Sequence, residues 1–145
     1  MIAENATNIK NQINSANVTI VAVTKTQPVE RIREAVNTGL TVLGENRVQE
    51  AAEKIGLLAD LPVEWHLIGH LQTNKVKQAV AMFSLIQSVD SLKLALEINR
   101  QAAAVNKQQD ILLQINVAGE TSKFGIAPSQ ASAVAAELFA LPNVR

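Results

Sequence analysis

The 145-residue chain has no cysteine, so disulfides, thiolate metal ligands and a thiol nucleophile are all excluded. A reducing cytoplasm is the compartment this fits. Aromatic residues make up only 3% of the chain, one Trp and three Phe, which leaves few rings to stack on bases. Thirteen basic residues balance thirteen acidic ones, so no charge excess exists to neutralise a phosphate backbone, and nucleic-acid binding is not expected. No run of eighteen apolar residues occurs, and Met1-Ile-Ala-Glu-Asn-Ala has neither a basic nor an apolar character. Membrane insertion and export are therefore not expected either. What is present is a 48% hydrophobic share with 18% charged residues, the profile of a globular domain with a core.

That hydrophobic content is organised in an alternating rhythm. Ile2, Ala6, Ile9 and Ile13 are spaced as one face of a short helix. Apolar or β-branched stretches then begin near Thr19, Leu40, Glu64, Phe83, Asp110 and Asn143. Between them, helical periodicity covers roughly residues 28–38, 46–58, 73–81, 91–105 and 128–140, with starts marked by Pro28, Asp90-Ser91 and Pro128-Ser129. Gly39 stands where the first of these should end. Alternation of this kind implies right-handed βαβ units on a parallel sheet, either open and doubly wound or a (β/α)8 barrel. No low-complexity stretch or linker interrupts it, so one domain is expected over 1–145.

The first βα turn separates the two architectures. A dinucleotide fold needs G-x-G-x-x-G there, and this chain has Thr24-Lys-Thr-Gln-Pro28. A barrel fits the spacing, but eight units need roughly 200 residues or more. The chain holds five units and the opening of a sixth strand at Leu141-Pro-Asn-Val-Arg145. The expected fold is thus an incomplete parallel barrel, about five of eight units, with exposed edges and an exposed apolar interior.

In such a fold the chemistry sits just past the strand ends. Those positions are Lys25, Gly44-Glu45-Asn46, Gly69-His70-Leu71-Gln72, Ser88-Val89-Asp90, and Asn116 through Lys123. Lys25 closes the apolar run Thr19–Thr24, and alternation puts it on the face of Val21 and Val23. An amine presented at a barrel mouth can attack carbonyls; a strand-end lysine can equally snorkel to water. Asn46 offers an amide at the start of a helix, where Glu or Asn would also serve as a cap. His66 and His70 stand four apart on one strand, about 13 Å by strand rise, too far to share a metal, and no metal site is expected. A nucleophile elbow G-x-S-x-G is missing, which argues against acyl transfer. The polar stretch Val117–Gly125 reads as a loop that either closes over a ligand or is simply solvated.

Five motifs in order carry a resemblance: Val21-Ala-Val-Thr-Lys25-Thr, Gly44-Glu-Asn-Arg-Val-Gln-Glu50, Trp65-His-Leu-Ile-Gly-His-Leu-Gln-Thr-Asn-Lys75, Ser88-Val-Asp90, and Gln114-Ile-Asn-Val with Glu120-Thr-Ser-Lys-Phe-Gly125. Together they resemble the pyridoxal phosphate homeostasis protein family, from about Thr19 onward. The resemblance implies a barrel of the alanine racemase N-terminal type. It also implies pyridoxal 5′-phosphate held as an internal aldimine on Lys25, with Asn46 and His66 beside the cofactor. Thr24 and Thr73 stand where serine is usual and keep the hydroxyl. Family members continue through three further strands, with Ser-Met-Gly-Met-Ser and Arg-Ile-Gly stretches forming a phosphate cup, and neither stretch occurs here.

The resemblance implies binding and delivery of the cofactor rather than turnover, with PLP-dependent apo-enzymes as candidate recipients. Racemisation needs an acid/base pair on both faces of the substrate carbon, and the racemases carry one member on a second domain absent from this sequence. The alternatives are a racemase-like enzyme using Lys25 as anchor and base, and a fragment that binds nothing alone.

Overall fold

The computed structural model describes residues 1–13 and 17–145. Helix α1 (Ile2–Ile13) precedes strand β1 (Val21–Val23), followed by α2 (Val29–Asn37), β2 (Val42–Glu45), α3 (Val48–Leu57) and β3 (Glu64–Leu67). A single 3-10 turn, Thr73–Lys75, then leads into α4 (Val76–Met82), β4 (Leu85–Val89), α5 (Leu92–Ala104), β5 (Asp110–Leu113) and α6 (Pro128–Phe139). All five strands are parallel and lie side by side in chain order. Past β5 the ladder goes on: Gln109 bridges Val144 in parallel, so the Leu141–Arg145 stretch does open a sixth position.

Several boundaries follow from single residues. Ser91 caps α5, its hydroxyl accepting the Leu94 N–H at 3.2 Å. Pro128 opens α6, where its missing N–H costs nothing. Gly39 takes φ +84 just past α2, and its N–H donates to the Val36 carbonyl, ending the helix as expected.

Register decides which side chains meet. Leu43 pairs with Trp65, and Leu67 with Ile86, so these residues share the face that packs on the helices. Leu43, Leu67, Ile86 and Phe83 are fully buried there with Ile32, Val80 and Ile98. Each contributes about 1.5–3 kcal/mol on leaving water. On the opposite, inner face Val23, Gly44, His66, Leu85 and Asp110 stand in one row across the sheet. That face is open: Val23 is 53% and Leu112 51% exposed. The exposed interior expected of an unclosed barrel is therefore observed.

One strand is shorter than its sequence suggests. The run Glu64–His70 is expected to form one strand, yet β3 ends at Leu67, and His70 lies beyond it. Gly69 makes the turn possible. The Asn46 backbone passes so close that any side chain at 69 would collide with it.

Candidate functional site

Lys25 stands in the turn after β1, exposed. The ladder reaches one residue past β1, where the Thr24 N–H donates to the Gly44 carbonyl at 3.0 Å. Thr24 itself faces the helices, its hydroxyl donating to Glu45 Oε1 at 2.6 Å. Alternation then places Lys25 at the rim of the inner face, above Val23. Its ammonium has no hydrogen bond or ion pair among the described residues. Asn46, two residues past Gly44, occupies the matching position on the neighbouring strand, and its side-chain amide likewise has no partner among the described residues. The sheet thus brings Lys25 and Asn46 together at one rim.

His66 is placed differently. It pairs with Gly44, one row deeper than Lys25 and two strands away, about 10 Å across the sheet. Both ring nitrogens are occupied: Nε2 meets Glu64 Oε1 at 3.0 Å, and Nδ1 meets the Gln87 amide nitrogen at 3.0 Å. Ser84 also donates to Glu64 Oε1 at 2.8 Å. The hydrogen bonds from His66 and Ser84 hold the Glu64 carboxyl below its ordinary value. His66 is buried, and the inner-face row from Val23 to His66 is flattened at its centre by Gly44. A Cβ there would press on Val21 and Ile68 at 3.0 and 3.1 Å.

The Gly44–Glu50 motif divides its work between two faces. Glu45 does not cap the following helix: α3 starts from Arg47 with no side-chain cap. Glu45 is instead fully buried on the helix side, taking Lys54 Nζ at 2.7 Å as well as the Thr24 hydroxyl. A carboxylate two residues past the buried Leu43 was a readable sign, since a charge on that face requires a partner.

The long loop after β5 is folded rather than loose. Asn116 donates to the Glu120 carbonyl at 2.8 Å and accepts the Gly119 N–H at 3.1 Å. Phe124 stacks on His70 with centroids 3.6 Å apart and planes 9° from parallel, while His70 Nδ1 meets Asp90 Oδ2 at 3.1 Å. Three strand ends are thereby tied to one another. Among the described residues no group of three acidic or imidazole side chains could hold a metal ion, and no helix is long and apolar enough to cross a membrane.

This geometry agrees with the comparisons. The family model for the alanine racemase N-terminal domain matches residues 1–145. Pyridoxal phosphate homeostasis proteins from Aquifex aeolicus and Pseudomonas aeruginosa are 46% and 44% identical, over 126 and 130 residues covering 87% and 90% of the chain. The chain belongs to the pyridoxal phosphate homeostasis protein family. It spans 55% and 56% of those two relatives. PipY of Synechococcus elongatus, solved with PLP bound, superposes with TM-score 0.92 at 38% identity, over 100% of this chain and 67% of that one. An alanine racemase from Clostridium difficile shares the fold at TM-score 0.82 and 20% identity, covering 99% of this chain and 38% of the racemase. The family's barrel is thus confirmed for these five units.

Proposed function

We propose that this chain binds pyridoxal 5′-phosphate as an internal aldimine on Lys25, in a homeostatic role without catalytic turnover. The observation that carries the reading is the Lys25 amine at the end of β1, with the Asn46 amide at the matching position on β2, neither of them bonded to a partner among the described residues. Kinship to PipY, which was solved with PLP bound, supports it. The residues suit an aldehyde-bearing aromatic ring. Lys25 supplies the amine, and Asn46, at the matching position on the neighbouring strand, supplies both a donor and an acceptor.

Lys25 would hold the cofactor through its aldehyde group, with its amine as the nucleophile that the rim offers. When bound, the cofactor supplies an electron sink for bonds to a substrate α-carbon. The chain offers little to exploit that sink. Asn46 does not ionise, and the nitrogens of His66 are engaged by Glu64 and Gln87, so His66 presents no free acid or base to the rim. Binding with protection of the aldehyde is the simpler role, and delivery to PLP-dependent apo-enzymes in the cytoplasm completes it.

The deciding experiment adds pyridoxal phosphate to the purified chain, traps with borohydride and maps the label by peptide mass. Label on Lys25, lost in a folded Lys25→Ala variant, supports the reading. Label spread over many lysines, or persisting in the variant, refutes it. Exchange of the L-alanine α-proton into deuterated water would contradict the absence of turnover.

A further inference from the structure

The two residues flanking Lys25 are held by a buried charge cluster. Lys54 Nζ, on a side chain only 8% exposed, donates to the Thr24 carbonyl at 2.6 Å and to Glu45 Oε1 and Glu50 Oε1 at 2.7 Å each. Glu45 accepts the Thr24 hydroxyl, and Glu50 Oε1 accepts the Thr26 N–H at 2.6 Å. Thr24 is thus fixed at its hydroxyl and its carbonyl, and Thr26 at its amide. The amine of the lysine between them has no partner among the described residues.

Thr26 also needs holding. Its φ is +61, a left-handed conformation that a β-branched residue adopts only where its surroundings impose it. The Glu50 carboxylate bonded to its N–H is that imposition. Nor is the cluster economical as a source of stability alone. A buried ion group is often matched or bettered by apolar packing of the same volume. Here two carboxylates share one ammonium, and Glu45 Oε2 is buried with no partner. An arrangement this costly is easier to understand as one that selects a conformation of the turn.

We propose that Lys54, acting through Glu45 and Glu50, is a positioning residue that holds the Thr24–Thr26 turn so that the Lys25 amine is presented at the rim in one orientation. The inference rests on the reading of Lys25 as the cofactor-binding amine. It assigns a task to both acidic residues of the Gly-Glu-Asn-Arg-Val-Gln-Glu motif, neither of which has to touch the cofactor.

The test compares the unaltered chain with Glu50→Ala, whose side chain is 26% exposed and whose loss the fold should tolerate, and with the charge-neutral pair Glu45→Gln/Lys54→Met. Two readouts are taken on each folded protein: hydrogen exchange at the Thr26 amide, and the distribution of borohydride-trapped pyridoxal phosphate among the lysines. Positioning predicts faster Thr26 exchange and a fall of about tenfold or more in the rate of Lys25 labelling, with Lys54→Arg recovering part of it. Folded variants that label Lys25 as fast and as selectively as the unaltered chain overturn the positioning role alone. If the unaltered chain does not label at Lys25, the cofactor reading fails and this proposal falls with it.

Discussion

The backbone of Asn46 lies against Gly69 so closely that a Cβ at 69 would sit 2.3 Å from the Asn46 carbonyl oxygen and 2.7 Å from its Cα. The end of β3 is therefore moulded to the residue beside Lys25. Gly69→Ala must push one of the two backbones aside, and overpacking of this kind costs about 1–3 kcal/mol. Denaturant unfolding should register that loss, and Lys25 labelling should slow because Asn46 moves. Unchanged values for both would show that the turn absorbs a methyl group.

The Phe124–His70 stack predicts a local effect. Aromatic pairs contribute about 0.5–1.5 kcal/mol beyond area burial, and this one tethers the loop after β5 to the turn after β3. In Phe124→Ala, amide exchange over 117–125 should accelerate while the strands keep their protection. Uniform acceleration through the whole chain would mean that the contact supports the fold instead.

Acid should weaken the Lys25 turn. The hydrogen bonds from Lys54 and from the Thr26 N–H lower the Glu50 carboxyl below its ordinary 4.5. Its contribution is therefore present above the unfolded value near 4.5 and disappears as pH falls through the lower folded one. Lys54 has the opposite sign. Burial lowers it, but the hydrogen bonds it donates to Glu45 and Glu50 and the negative charges of those two residues together outweigh burial and leave it above 10.5, so its contribution is whole below 10.5 and lost as pH rises through the folded value. Glu50→Gln should flatten the acid limb of a stability–pH curve; an acid limb identical to that of the unaltered chain would contradict the assignment.

Phe83 tests the core. It is fully buried where α4 ends, so Phe83→Ala should cost about 3–5 kcal/mol by urea unfolding. A loss below about 1 kcal/mol would mean that the neighbouring helices collapse into the space.

The strand and helix order was legible because each element announces itself locally. Pro28, Ser91 and Pro128 mark helix starts, and the apolar runs mark strands to within two residues of where they begin. Lys25 and Asn46 were legible for the same reason, as polar residues directly after those runs. What escaped depends on pairings between distant segments. Nothing near Phe124 points to His70, and nothing near Thr24 points to Lys54. The length of β3 escaped as well, since no proline or polar turn residue marks its end at Leu67, and only the approach of Asn46 to Gly69 shows why the backbone must turn.

The strands stand in space in the order in which they are translated. From β2 onward each one finds its partner already synthesised, so the sheet can lengthen one unit at a time as the chain leaves the ribosome, without waiting for a distant segment. Growth of this kind has a direction: among these five units β1 forms one edge, the Lys25 turn belongs to the unit at that edge, and the Gln109–Val144 bridge lies at the opposite one.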